Sequence, residues 1–396
     1  MKYLKQFNNE SEYNSFKNSV EYVEPNVSFV KNTPDVKFTR RDPILTFKAI
    51  QSNSSIALTK NGSPNDVSLQ YSTNDGATWD IYTIGNTITL VNIGDTVKFK
   101  GTNSSFSSSV GNYHKFEMTG KILASGDITS LLNNIGGDVD LTGKDCCFNG
   151  MFYGCTSLVT APELPSTTLA PSCYYNMFNG CISLTTSPKL PATTLPAGCY
   201  GYMFMGCTKL IKTPGLHATN ISSLCYFNKF KDCTSLEYAS ELPATRLEEY
   251  CYSGMFDGCI KLKQAPALPA TTIAKGCYET MFRNCKMITN APELPATLLK
   301  IDCYSQMFSN CILLNKAPDL KATALIRGCY DAMFNGCTNL NYVKALFTTT
   351  PDNNTTRVWL ANVSPTGTFV KKSTATWDVT GVNGIPSGWT VQTAAA

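Results

Sequence analysis

The 396-residue chain has only two histidines, His114 and His217, and charged residues make up only 16% of it. The first shortage speaks against imidazole-rich metal centres and histidine-based catalysis, because neither histidine sits in a local motif with a serine or cysteine partner. G-x-S-x-G, Walker and dinucleotide-binding fingerprints are missing as well. The second shortage limits partners. The 33 basic and 29 acidic residues leave a formal charge of +4, and the longest basic clusters are the pairs Arg40-Arg41 and Lys371-Lys372. That is too little, and too evenly spread, for a nucleic-acid surface. No stretch reaches the roughly 18 apolar residues of a membrane-spanning helix. The N-terminus, Met1-Lys2-Tyr3-Leu4-Lys5-Gln6-Phe7, has no apolar core of the length an export signal needs, so the expectation is a chain made and folded in the cytoplasm. Acidic pairs such as Glu248-Glu249 occur in single places and read as solvated surface rather than as paired catalytic carboxylates.

What is present is periodic. Cys147, Cys173, Cys199, Cys225, Cys251, Cys277, Cys303 and Cys329 step by 26, and so do Cys155, Cys181, Cys207, Cys233, Cys259, Cys285, Cys311 and Cys337. With Cys146 they make up all 17 cysteines. An invariant phenylalanine column runs from Phe152 to Phe334, an aliphatic column from Leu158 to Leu340, and an invariant threonine column from Thr167 to Thr349. The unit reads C-Y-x-x-M-F-x-x-C-x-x-L-x-x-A-P-x-L-P-A-T-x-L-x-x-x, eight times between Cys147 and Asn354.

In C-Y-x-x-M-F-x-x-C the apolar residues fall at i, i+1, i+4, i+5 and i+8, which predicts one face of a short helix. The next segment, C-x-x-L-x-x-A-P, is short and ends at proline, so it reads as a strand of a parallel stack with its leucine inward. L-P-A-T is then a turn. A single unit cannot bury its apolar stripe, whereas stacked units can. Strands stack at about 4.8 Å and helices at about 8–10 Å. Such a solenoid should curve, spanning roughly 40 Å on the strand side and up to about 80 Å on the helical side.

The cysteines have three readings. Zinc sites use closer pairs, and histidine is too scarce to complete them. Disulfides are disfavoured by cytoplasmic folding, and two cysteines eight apart on one helix would stand about 12 Å apart. Small buried apolar residues in a ladder are the favoured reading. On that basis Phe256→Ala should cost a large fraction of the stability, and Cys259→Ser should destabilise by burying an unmatched hydroxyl. No cofactor, metal ligand or catalytic residue is assigned.

The variable columns carry the binding expectation. Two positions after the inward leucine stand Thr160, Thr186, Lys212, Tyr238, Gln264, Asn290, Lys316 and Tyr342. Beside them run Val159, Thr185, Ile211, Glu237, Lys263, Thr289, Asn315 and Asn341. The strand face of a curved solenoid is a natural ligand surface, so Lys212, Tyr238, Gln264, Asn290, Lys316 and Tyr342 are the candidate ligand-binding residues.

The unit resembles the BspA-type leucine-rich repeats of bacterial surface proteins, whose core reads roughly A-F-x-x-C-x-x-L-x-x-I-x-L-P. Here Met-Phe replaces Ala-Phe, and Ala-Pro replaces the aliphatic strand position. One unit departs most, with Lys229 where methionine is usual and Ser240 where proline is usual. The last unit has Lys344 and Phe347 in place of its prolines. The N-terminal segment, with Pro25-Asn26-Val27-Ser28-Phe29-Val30, is similar to segments of virion proteins from phages infecting gut Bacteroidales. Ser68-Leu69-Gln70-Tyr71-Ser72, Gly76-Ala77-Thr78-Trp79 and Gly384-Ile385-Pro386-Ser387-Gly388-Trp389 are similar to modules from the same phages and their hosts.

The expected fold is therefore multi-domain. Residues 1–41 form an N-terminal docking arm with a short helix over Glu10–Asn18, and residues 42–125 an antiparallel β-sandwich of alternating runs such as Thr96-Val97-Lys98-Phe99-Lys100. Residues 126–146 cap the solenoid at its N-terminal end. Residues 147–354 are the eight repeats of an α/β leucine-rich-repeat-like solenoid. Residues 355–396, with Trp359, Trp377 and Trp389, form a β-rich C-terminal cap. The resemblance implies a non-enzymatic fibre or tail-associated virion protein. Its arm would contact other virion proteins, and its solenoid would meet a host-surface glycan or protein, with a homo-oligomer possible. It implies no nucleic-acid partner and no membrane insertion. The alternatives are an architectural head-fibre or decoration protein without a ligand, a BspA-type surface adhesin, and a capsule depolymerase.

Overall fold

The computed structural model describes residues 42–394. The expected arm, and the short helix expected over Glu10–Asn18, lie outside them. The described chain is mostly β, and its main body is a β-solenoid of eight turns spaced 26 residues apart.

The solenoid has no helices, which corrects the expected α/β repeat and its curvature. Each C-Y-x-x-M-F-x-x-C segment is a chain of tight turns. In the first repeat the N–H groups of Asn149, Met151, Tyr153 and Cys155 donate within the coil, to the carbonyls of Cys146, Phe148, Gly150 and Phe152 (2.8–3.3 Å). The alternate N–H groups, of Phe148, Gly150, Phe152 and Gly154, donate to Cys173, Tyr175, Met177 and Asn179 of the next coil (2.8–2.9 Å). Backbone donors are thus shared between the coil's own turns and its neighbour, which satisfies them without an α-helical ladder. The turns require a positive φ every fourth residue, as at Ser172 and Asn176 (53° and 57°) and then Gly180 (76°). A four-residue spacing buries the same i, i+1, i+4, i+5, i+8 set that a helix would.

The consequence is a common pitch on every side. Rings of the phenylalanine column from Phe152 to Phe334 stack 5.4–5.8 Å apart with planes within 16°. Rings of the tyrosine column from Tyr174 to Tyr330 stack at 5.6–6.2 Å. Both spacings are near the strand repeat and well below a helix-packing distance, so the turn side also spans only about 40 Å. The inward column Leu158, Leu184, Leu210, Leu236, Leu262, Ile288, Leu314 and Leu340 is fully buried, as its spacing predicts. Sixteen of the 17 cysteines are buried, and Cys146 is half-buried.

Residues before the solenoid supply its first rung. Nine strands precede it: β1 (Leu45–Ala49), β2 (Ser54–Asn61), β3 (Leu69–Ser72), β4 (Asp80–Tyr82), β5 (Ile88–Leu90), β6 (Thr96–Gly101), β7 (Ser107–Ser109), β8 (Asn112–Thr119) and β9 (Ile122–Ser125). One sheet runs β5-β2-β8-β7. The other runs β9-β1-β6-β3-β4 and is extended by β10 (Leu158–Thr160) of the first coil, parallel to β9. Leu45, Phe47 and Ala49 of β1 alternate inward, and Phe47 meets Phe116 of β8 across the two sheets at 4.9 Å. Phe106 and Phe116 then stand in for a preceding repeat. Their rings stack on Phe148 and Phe152 at 6.1 and 5.5 Å, and their N–H groups donate to Cys147 and Met151 (2.9 and 2.8 Å). A short helix, α1 (Ser130–Asn133), buries Leu131 and Leu132 beside this junction.

The far end continues in the same way. Tyr330, Ala332, Phe334 and Gly336 donate to Thr355, Arg357, Trp359 and Ala361 (2.8–3.1 Å), so residues 355–361 form one more degenerate coil. Strand β13 (Tyr342–Ala345) pairs in parallel with β14 (Gly367–Lys371), and β14 with β15 (Trp389–Thr393). Trp359, Trp377 and Trp389 are buried, and their indole N–H groups donate to Gly384, Phe347 and Ser364 (2.8–3.1 Å).

Candidate functional site

The candidate column lies along one side of the solenoid, on the segment after the inward leucine. Isolated parallel bridges join Thr160 to Thr186, Lys212 to Tyr238, Asn290 to Lys316 and Lys316 to Tyr342. Lys212, Tyr238, Gln264, Asn290 and Lys316 are exposed, and Tyr342 is half-buried. The register thus brings together side chains that are 26 residues apart in sequence. Their chemistry is mixed: Lys316 Nζ stands 5.1 Å from the Tyr342 ring centroid, and Lys263 Nζ stands 5.1 Å from that of Tyr238.

The bridges skip both steps of the run Tyr238, Gln264, Asn290. On the upper of these steps, Lys263 still donates from its backbone N–H to Glu237 O (3.3 Å), and its ammonium reaches the Glu237 carboxylate at 2.6 Å. That ammonium holds the Glu237 carboxyl below its ordinary range, and Glu237 in turn raises the lysine. Between the fifth and sixth coils the surface opens into a shallow groove of about 720 Å³. Gln264 and Asn290 line it, with Lys263 and Thr289 beside them and Leu268 and Pro292 among its apolar walls. Apolar walls with a few amide, hydroxyl and charged groups suit a ligand that presents both C–H surface and hydroxyls.

The sequence placed Gln264 and Asn290 but missed the apolar walls. Alanine and proline recur at those positions in most units, so they do not single out the fifth and sixth. Lys212 and Thr186 lie further along the same side, outside the groove.

A second groove, of about 680 Å³, lies on the segment that carries the invariant threonines. Strands β11 (Thr194–Leu195) and β12 (Asn220–Ile221) pair there, and Arg246 bridges Thr272. Asn220, Ser222 and Ser223 face Arg246, Glu248 and Glu249 across it. All eight threonines of the column, Thr167 to Thr349, are exposed.

Other chemistry is confined by burial. Burial pushes the Cys155 thiol up to about 12 and the Cys329 thiol to about 11, so these sulfurs are protonated at neutral pH and are poor nucleophiles or ligands. His114 is fully buried, its Nδ1 3.1 Å from Phe106 O, and burial holds it below its ordinary range. His217 is exposed. Among the described residues no group of three or more histidine, cysteine or acidic side chains is placed to hold a metal ion, and no helix is long and apolar enough to cross a membrane.

Fold and surface together define a β-solenoid with a grooved, chemically mixed side. Comparison with protein-family models, with curated proteins and with solved structures gave no match to this chain.

Proposed function

We propose that the chain is a non-enzymatic attachment protein of a phage virion, fibre or tail-associated. In this reading residues 1–41 dock on other virion proteins, and residues 42–125 act as a β-sandwich module between arm and solenoid. The solenoid side carrying Lys212, Tyr238, Gln264, Asn290, Lys316 and Tyr342 meets a host-surface glycan or protein. The observation that carries the reading is the groove between the fifth and sixth coils. There the one column chosen for its variability becomes a concave surface lined by Gln264 and Asn290. A rigid stacked scaffold with side chains changing from coil to coil is how repeat proteins present extended binding surfaces. The resemblance to BspA-type repeats and to virion segments of gut Bacteroidales phages supports the setting.

The test is saturable binding of the labelled full-length chain to intact gut Bacteroidales strains, with and without their capsules. Binding to some strains, weakened roughly tenfold or more by Gln264→Ala with Asn290→Ala, supports attachment through this groove. Binding that the double variant leaves intact moves the site elsewhere on the solenoid. Binding to no strain replaces the reading with an architectural virion component.

A further inference from the structure

The fourth coil breaks the methionine column. Met151, Met177 and Met203 precede Lys229, and Met255, Met281, Met307 and Met333 follow it, all fully buried. Lysine is as unbranched as methionine, and the coil keeps its register around it. The Lys229 N–H donates to Tyr226 O at 3.1 Å, and Lys229 O accepts from the Phe204 N–H at 2.9 Å. The lysine is fully buried as well, and its Nζ has no hydrogen-bond partner among the described residues.

The amine is surrounded by rings and thiols. From the third coil it meets Tyr200 and Phe204, with ring centroids 4.3 and 5.9 Å from Nζ, and from its own coil Tyr226 and Phe230, at 4.6 and 5.5 Å. The other titratable groups acting on it are Cys199 and Cys225. Burial pushes the Cys199 thiol and the Tyr200 and Tyr226 hydroxyls up, so these supply no negative charge near neutral pH. In register on the fifth coil stand Cys251, Tyr252 and Met255, all buried and none of them acidic. The acid of that coil two residues further on, Asp257, is held by Lys231 and Arg283 at 3.2 and 2.6 Å.

An ammonium in this place would lose its hydration and regain only ring faces. Four aromatic faces offset part of that loss, but a buried charge needs a paired ion or several acceptors to be tolerated. Burial accordingly holds the amine well below its ordinary range. In an opened chain the same amine lies in water and takes its proton near the ordinary lysine value of about 10.4. The step from the third coil to the fourth is also loosely joined along the threonine side. Strand pairing joins Thr194 to Asn220, and a bridge joins Arg246 to Thr272, but among the described residues no bridge joins Asn220 to Arg246. The groove of about 680 Å³ opens at that step.

We infer that Lys229 makes the junction between the third and fourth coils an acid-sensitive break point, which opens when the amine takes up a proton. The closed stack holds Lys229 neutral, and the opened junction holds it as an ammonium. The opened form thus binds a proton that the closed form does not. Its population rises as pH falls below the ordinary lysine range, by about tenfold per unit, until the pH reaches the lowered value of the amine in the stack. Above the ordinary range both forms are neutral and the effect vanishes. The break falls between the sandwich with its first three coils and the five coils that carry Gln264 and Asn290. Acid would loosen the groove-bearing coils from the rest of the chain and leave the two coils of the groove joined. The inference does not depend on what that groove binds.

The test is backbone hydrogen exchange in the native full-length chain and in Lys229→Met, read by peptide mass from about pH 8 to about pH 6. Lys229→Met restores the residue of the other seven repeats. The ratio of exchange rates between the two chains cancels the intrinsic pH dependence of exchange. In peptides of the third and fourth coils, exchange in the parent relative to the variant should rise about tenfold per pH unit, or about a hundredfold over the range. In peptides of the seventh and eighth coils the ratio should stay constant. A constant ratio in the third and fourth coils would mean that the rings hold Lys229 as an ammonium, and would overturn the inference. A ratio that rises equally in every coil would overturn it too, because protonation would then unfold the whole solenoid rather than open one junction.

Discussion

Phe256 shows what one residue contributes. It is fully buried between Phe230 and Phe282, with ring centroids 5.8 and 5.7 Å away. Phe256→Ala would remove both contacts and leave a cavity between coils that share backbone hydrogen bonds and close poorly. The expected cost is roughly 3–5 kcal/mol, read from chemical denaturation followed by circular dichroism. Cys259 is a different case. From sequence, a serine there would bury an unmatched hydroxyl. In the structure the Cys259 thiol donates to Phe230 O at 3.1 Å, so an acceptor is already in place. Cys259→Ser keeps a donor aimed at that carbonyl, and its cost should fall to about 1 kcal/mol, the scale of one net hydrogen bond. A loss as large as that of Phe256→Ala in the same denaturation experiment would show that the carbonyl does not accept the shorter hydroxyl.

At the scale of the element, the 26-residue period and the inward faces were legible in the sequence, and the identity of the repeating element was not. An apolar pattern of i, i+1, i+4, i+5, i+8 fits a helix of 3.6 residues per turn and a chain of four-residue turns equally well over nine positions. The signal that separates them was present in other columns. Gly150 and Gly154, Asn176 and Gly180, and Gly254 and Gly258 recur at four-residue spacing. Glycine and asparagine are poor in a helix interior but suited to positive φ. The groove was half legible: Gln264 and Asn290 stand out by column variation, while the opening between them depends on a missing bridge that no residue type announces. The turn chemistry also makes a prediction. In the positive-φ column that includes Gly198, Gly276 and Gly328, the fourth coil has Leu224 at +59°. Its side chain is 39% exposed, so little packing would be lost on truncation. Leu224→Gly relieves a conformational cost of about 1–2 kcal/mol against an entropic loss of about 0.5–1 kcal/mol. The variant should therefore melt a few degrees higher than the parent, and a lower melting temperature would mean that the leucine side chain contributes packing that outweighs its backbone strain.

At the scale of the molecule, the solenoid behaves as a one-dimensional stack in which each coil is recognised by the next through the same hydrogen bonds and the same rings. Both ends are built from the same parts. Phe106 and Phe116 supply a rung before the first coil, and residues 355–361 supply one after the eighth. The interior should then accept removal of a whole unit but not of a fraction of one. Deleting residues 303–328 joins Asp302 to Cys329, so that Tyr330 and Phe334 fall where Tyr304 and Phe308 had been. The losses are one coil interface and the side-chain contacts of the removed coil, among them the hydrogen bond from Arg283 to Gln306 (3.2 Å) and the Lys321–Glu293 and Lys344–Asp319 ion pairs (2.9 and 2.8 Å), while the Arg283–Asp257 ion pair at 2.6 Å stays within the retained coils. Deleting residues 303–315 instead leaves half a unit, which puts polar positions opposite the phenylalanine and cysteine columns and orphans the inter-coil N–H groups. The 26-residue deletion should give a monodisperse protein with a single cooperative melting transition below that of the parent, and the 13-residue deletion should not. Because both coils that line the groove at Gln264 and Asn290 are retained, and Tyr342 takes the place of Lys316 beside Asn290, the shorter solenoid should also keep whatever cell binding the full chain shows. Folding without binding would mean that recognition extends along the column to Lys316 and Tyr342.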